Sequence, residues 1–128
     1  MMYTVVRFTS DSVAPEELER VGRHLNTLVP GAFEGLRPHK DGFAPEIAID
    51  GDWRDHRYAI IGFVLKGLAA IAAARKLGIS VCVDVAIWPE DLVGLRLFCL
   101  HADAELLRTL AEADMSMEIS IYRYPEAD

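Results

Sequence analysis

Two cysteines in 128 residues exclude a disulfide scaffold and a four-sulfur metal site. Cys82 and Cys99 read instead as reduced core thiols of a cytoplasmic protein, because no third or fourth metal ligand stands at suitable spacing. Basic charge is also scarce: 13 Lys and Arg against 20 Asp and Glu give a net charge of −7. Nucleic acid, whose backbone demands a basic surface, is therefore not expected as a partner; a basic protein would be. No apolar run reaches the roughly 20 residues of a bilayer span. The longest, Tyr58–Ala74, carries Lys66 in its middle, which costs roughly 2.5–3.5 kcal/mol inside a bilayer, so it reads as a core helix with no membrane role. No charged lead followed by an apolar stretch opens the chain, so no signal peptide is expected. Repeats, low-complexity tracts and linkers are missing too, and residues 1–128 are expected to form a single domain. Nucleophile elbows, phosphate loops, zinc spacings and dinucleotide fingerprints are absent. Gly62 to Gly67 has phosphate-loop spacing, but no Lys-Ser or Lys-Thr follows the second glycine. The expectation is a non-catalytic chain with no cofactor and no metal. His101-Ala-Asp103 offers two ligands, yet Asp103 is already needed to cap a helix.

What is present centres on Asp55 to Trp88. Ile61, Val64, Leu65, Leu68, Ile71 and Ala72 recur at helical steps and predict the buried face of a long helix. On that reading Leu68→Asp prevents soluble folding. A break near Gly67 would divide the helix into two pieces. Gly78 suits the left-handed position past a helix end, with Ile79 folding back on the last turn. Val81, Val83, Val85 and Ile87 then alternate with Cys82, Asp84, Ala86 and Trp88, the pattern of a central strand.

Around this core, Tyr3 to Thr9 reads as a strand. Asp11-Ser-Val-Ala-Pro-Glu-Glu17 opens a helix whose inward stripe is Leu18, Val21, Leu25 and Leu28. Glycines and prolines make residues 32–44 a loop, and Glu46–Asp50 a short strand. Asp52 or Asp55 caps the central helix. Pro89–Gly94 reads as a hairpin connection and Leu95–Leu100 as a returning strand that brings Cys99 near Cys82. Asp103 caps a last helix with Leu106, Leu107 and Leu110 inward, and Met115–Tyr124 alternates as a final strand. The order β-α-β-α-β-β-α-β predicts a two-layer α+β fold, one mixed or antiparallel sheet of about five strands with helices on one face.

Three features resemble the bacterial family catalogued as domain of unknown function 4279. They are the opening strand followed by Ser12-Val-Ala-Pro-Glu-Glu-Leu18, the central helix leading into an alternating strand, and Asp103-Ala-Glu-Leu-Leu-Arg-Thr-Leu-Ala-Glu-Ala-Asp-Met-Ser-Met-Glu-Ile-Ser-Ile-Tyr122. The resemblance covers most of the chain outside residues 32–51. It implies the same fold and brings no activity with it.

The densest set of interface-prone side chains is Trp53-Arg-Asp-His-Arg-Tyr58. Trp53, Arg54, His56, Arg57 and Tyr58, with His39 from the 33–43 loop, form the expected binding site. Arg54→Ala with Arg57→Ala is expected to leave the melting temperature nearly unchanged while losing a partner. Three roles stand open: a protein-binding domain, for instance an immunity-type neutraliser of a toxin; a small-molecule binder or enzyme with a pocket near the 32–45 loop; or a structural homo-oligomer, for instance a homodimer, joined through an exposed strand edge or the Ala-rich helix face.

Overall fold

A computed structural model describes residues 2–37, 41–88 and 100–122. Their order is β1 (Met2–Thr9), α1 (Pro15–Leu28), β2 (Gly42–Phe43), β3 (Glu46–Ile49), α2 (Trp53–Lys76), β4 (Ser80–Ile87), α3 (Ala104–Glu112) and β5 (Ser116–Ile121). The strands form one mixed sheet in the order β2-β1-β4-β5, with β3 beside β2 on the same edge of β1. Strand β1 runs antiparallel to β2, β3 and β4, whereas β5 runs parallel to β4 through the α3 crossover. The expected α+β class with a mixed five-stranded sheet is what forms. The expected hairpin at 89–94, nearly all of the strand at 95–100 and the Cys82–Cys99 approach lie outside the described residues.

Alternation places the core. Met2, Thr4, Val6 and Phe8 of β1 are buried, and the register sets them beside Ile87, Val85, Val83 and Val81 of β4. The helices cover this face, adding Leu18, Val21 and Leu25 of α1, Ile60, Val64 and Ile71 of α2, and Leu106 and Leu110 of α3.

Helix α1 starts at Pro15, with Ala14 at the N-cap and no side-chain cap; proline's fixed φ suits the first helical position. The central helix is longer than its apolar run. Asp52 and Asp55 form a reciprocal capping box that starts it at Trp53. It runs unbroken through Gly67, because Gly67 is where α1 comes close: an added Cβ would stand 2.9 Å from Leu25 Cδ1. Its end is a Schellman motif, with Gly78 at φ +85, its N–H bonded to Arg75 O, and the Ile79 N–H bonded to Ala74 O.

Two inward stripes differ from expectation. Helix α2 buries His56, Ile60, Phe63, Val64, Gly67, Ala70, Ile71 and Ala74, and leaves Leu65 and Leu68 exposed, Leu68 at 42%. Large apolar residues stand on both sides of this helix, so bulk alone selected the wrong phase. Leu107 of α3 likewise faces solvent. Of the described helices, α2 is the one long and apolar enough to cross a bilayer by length and composition; here it is packed by α1, α3 and three strands.

The expected loop contains a strand. Gly42 has no room for a side chain, since its Cβ would meet Phe8 O at 1.9 Å, and Phe43 stacks on Phe8 at 4.6 Å between ring centres.

Candidate functional site

The other side of each strand faces away from the helices and carries Tyr3, Val5 and Arg7 on β1. Beside them stand Cys82, Asp84, Ala86 and Trp88 from β4 and its end, and Glu118, Ser120 and Tyr122 from β5 and its end. The register sets Asp84 between Val5 and Glu118. Its carboxylate is nearly fully buried, accepts a hydrogen bond from Ser120 Oγ at 2.8 Å and faces Arg7 Nη1 at 3.6 Å. Arg7 also donates to Glu118, so one guanidinium serves two carboxylates. Burial works against the Arg7 charge. Hydrogen bonds to Glu118 and Cys82 and the charges of Asp84 and Glu118 outweigh it and hold Arg7 above its ordinary value. Tyr3 donates to Glu46 Oε1 at 2.7 Å; burial, then that hydrogen bond and the Glu46 charge, push the phenol up to about 12.

One wall rises beside this face. The turn after α1 is tied by Asn26 Oδ1, which accepts from the N–H groups of Gly31 at 2.9 Å and Phe33 at 3.3 Å. Phe33 lies against Gly22, where a Cβ would stand 2.6 Å from the ring, and meets the Phe43 ring edge-on at 5.0 Å. Arg37 N–H donates to Gly42 O, closing residues 31–37 over the sheet edge. Between this wall and the strands lies a groove of about 660 Å³, lined among others by Tyr3, Arg7, Glu34, Arg37, Glu46, Asp84 and Tyr122. A second cavity of about 340 Å³ lies beside α2, lined by Tyr58, Gly62, Phe63 and Lys66. Gly31, Ala32, Pro45 and Glu46 border both.

Within the groove Arg7 holds Asp84 and the neighbouring Glu118. The Ser120 hydroxyl donates to the Asp84 carboxylate, and Tyr3 donates to Glu46. Among the described residues, no group of three or more His, Cys, Asp or Glu side chains could hold a metal ion.

No family model, curated protein or solved structure matches the chain.

The expected site at the start of α2 divides. His56 is fully buried, 2.7 Å from Thr4 Oγ1 through Nδ1 and 2.5 Å from Asp50 O through Nε2. A carbonyl only accepts, so Nε2 carries the proton; in that tautomer Nδ1 accepts from the Thr4 hydroxyl. Trp53 is half-buried, its Nε1–H donating to His101 O at 2.9 Å. Arg57 forks onto Asp103 and reaches Glu105, each at 2.7 Å, joining the starts of α2 and α3. These three residues hold the fold together, so removing Arg54 and Arg57 together is expected to lower the melting temperature. Arg54 and Tyr58 are exposed, with the Arg54 guanidinium 6.0 Å from the ring centre, and Tyr58 borders the smaller cavity. His39 lies outside the described residues.

The groove lies where a pocket near the 32–45 loop was expected, but its strand residues Tyr3, Arg7 and Asp84 were not foreseen, although one signal was there. Asp84 is a charge in the middle of an eight-residue apolar strand, and Arg7 and Glu118 stand in two other strands.

Proposed function

We propose that the chain is a non-catalytic protein-binding domain whose groove on the helix-free sheet face receives a basic segment of its partner. The observation that carries this reading is the groove's charge pattern. Glu34, Glu46 and Asp84, with Glu118 beside them, outnumber Arg7 and Arg37; Arg7 engages Asp84 and Glu118, which leaves Glu34 and Glu46 to face a partner. Its volume lies in the range of about 300–1,000 Å³ common to ligand sites, and tyrosine and arginine are frequent anchors at interfaces. An immunity-type domain that blocks a toxin is the form of this role we favour. A cytoplasmic location and kinship with the domain of unknown function 4279 belong to the same proposal, the latter on the residues Ser12–Leu18 and Asp103–Tyr122.

Trp88 stacks on Tyr122, which lines the groove, at 4.8 Å between ring centres, and so provides a fluorescence reporter. Arginine- and lysine-rich peptides should change Trp88 emission, with an affinity that falls as salt rises. Glu34→Lys with Glu46→Gln keeps an acceptor for Tyr3 and should weaken binding about tenfold or more, or roughly 1.4 kcal/mol. Equal affinity in this variant would remove the groove from consideration. A second reading, a small molecule in the same groove, draws on the buried Asp84 that lines it. It predicts thermal stabilisation by a low-molecular-weight extract with no response to peptides.

A further inference from the structure

The two edges of the sheet are built differently. One edge is interrupted: β2 has two residues, β3 has four, Pro45 lies between them, and the register slips between Thr4 and Val5. Such breaks protect an edge from unwanted pairing. The other edge, β5, is six residues long with no proline, no glycine and one charge, Glu118. Among the described residues, no strand pairs with its outer side.

The ladder shows which groups are open. The Tyr122 N–H donates to Ile87 O. In a parallel pair alternate residues turn their backbone groups toward the neighbour, so residues 118, 120 and 122 face β4. Residues 117, 119 and 121 therefore direct both N–H and C=O outward. The same three carry the apolar side chains of the strand, and Ile119 and Ile121 are 50% and 60% exposed.

We propose that β5 pairs antiparallel with β5 of a second copy of this chain, about a two-fold axis at Ile119. The proposal rests on backbone geometry and not on the groove, so either can fail alone. In this register each Ile119 exchanges two backbone hydrogen bonds with the other, and each Met117 exchanges two with the second copy's Ile121. The apolar side chains then meet across the joint on one face. On the other face Glu118 stands opposite the second copy's Ser120. A register centred on residue 118 would oppose two Glu118 carboxylates, and one centred on residue 120 would leave both Met117 residues unpaired. Self-complementarity of this kind is what a two-fold interface requires, and it identifies the occupant as a second copy and not an arbitrary peptide.

Sedimentation velocity over a concentration series tests the proposal, with amide hydrogen exchange as a site-resolved readout. The wild type should dimerise, and the amides of Met117, Ile119 and Ile121 should become protected as it does. Ile119→Pro removes an outward N–H while leaving the ladder to β4 intact, and should weaken dimerisation at least tenfold. Ile119→Lys should do the same, and Ile49→Lys on the interrupted edge should not. Circular dichroism confirms that each variant is folded. A wild type that stays monomeric overturns the proposal, as does a folded Ile119→Pro or Ile119→Lys protein that dimerises normally. A dimer lost on Leu65→Lys but kept in both Ile119 variants would move the contact to the outer side of α2 and overturn it equally.

Discussion

His56 joins three parts of the chain, since its ring accepts from Thr4 of β1 and donates to the Asp50 carbonyl in the turn before α2. Asp50 has φ +59, a conformation that few side chains adopt, so this bond also steadies a turn with little intrinsic preference for its shape. His56→Phe keeps a ring of similar outline and removes both nitrogens. The Thr4 hydroxyl, at 0% exposure, is then left unpaired at a cost of about 1–3 kcal/mol, and loss of the bond to Asp50 adds about 1 kcal/mol. The expected total is about 2–4 kcal/mol, read as a lower urea midpoint at unchanged slope. Thr4→Val combined with His56→Phe removes both members of the buried pair, so the double variant should be more stable than His56→Phe alone. A single substitution within about 0.5 kcal/mol of wild type, well inside the ordinary surface range, would refute the argument. So would a double variant less stable than the single.

Three further outcomes are expected. Leu68→Asp should fold and remain soluble, with a change under about 1 kcal/mol, whereas Ile60→Asp, which buries an unpaired charge, should not; soluble yield and circular dichroism decide. Gly62→Ala should raise stability by about 0.5–1 kcal/mol in chemical denaturation, because the position is mid-helix and an added Cβ meets nothing within 4 Å. The hydrogen bond from Arg57, then that from the Leu106 N–H, holds the Asp103 carboxyl below its ordinary value, so its stabilisation is complete above the ordinary carboxylate range. It is lost as pH falls through the lowered value, and Asp103→Asn should flatten that acid limb of the urea-midpoint profile.

Local chemistry was legible where it acts alone. Gly78, Asp103 and the Val81–Trp88 alternation each specify a stop, a cap or a strand without outside help, and each does so in the fold. The phase of α2 was not legible, because its inner side is small where α1 approaches. Gly67, Ala70 and Ala74 are buried, and Leu65 and Leu68 are not. Helix contact selected closeness over bulk, a choice made by Leu25 and Val29 some forty residues away. Strand β2 depends in the same way on Phe8, whose ring stacks on Phe43.

A pocket near the 32–45 loop was legible, but the charged cluster on the groove's strand side was hidden for a related reason. Arg7, Asp84 and Glu118 lie in three strands, and each alone reads as an ordinary residue of an alternating segment. They meet because β1–β4 pairing sets Val5 beside Asp84 while β4–β5 pairing sets Asp84 beside Glu118. A one-residue slip in either pairing would turn one partner to the helix side, where burial among Val81, Val83 and Val85 would leave its charge unpaired. The buried Asp84 therefore penalises wrong registers as well as lining the groove. Asp84→Ala should relax that penalty, and a loss of register order detectable by amide exchange along β5 would follow from the same geometry.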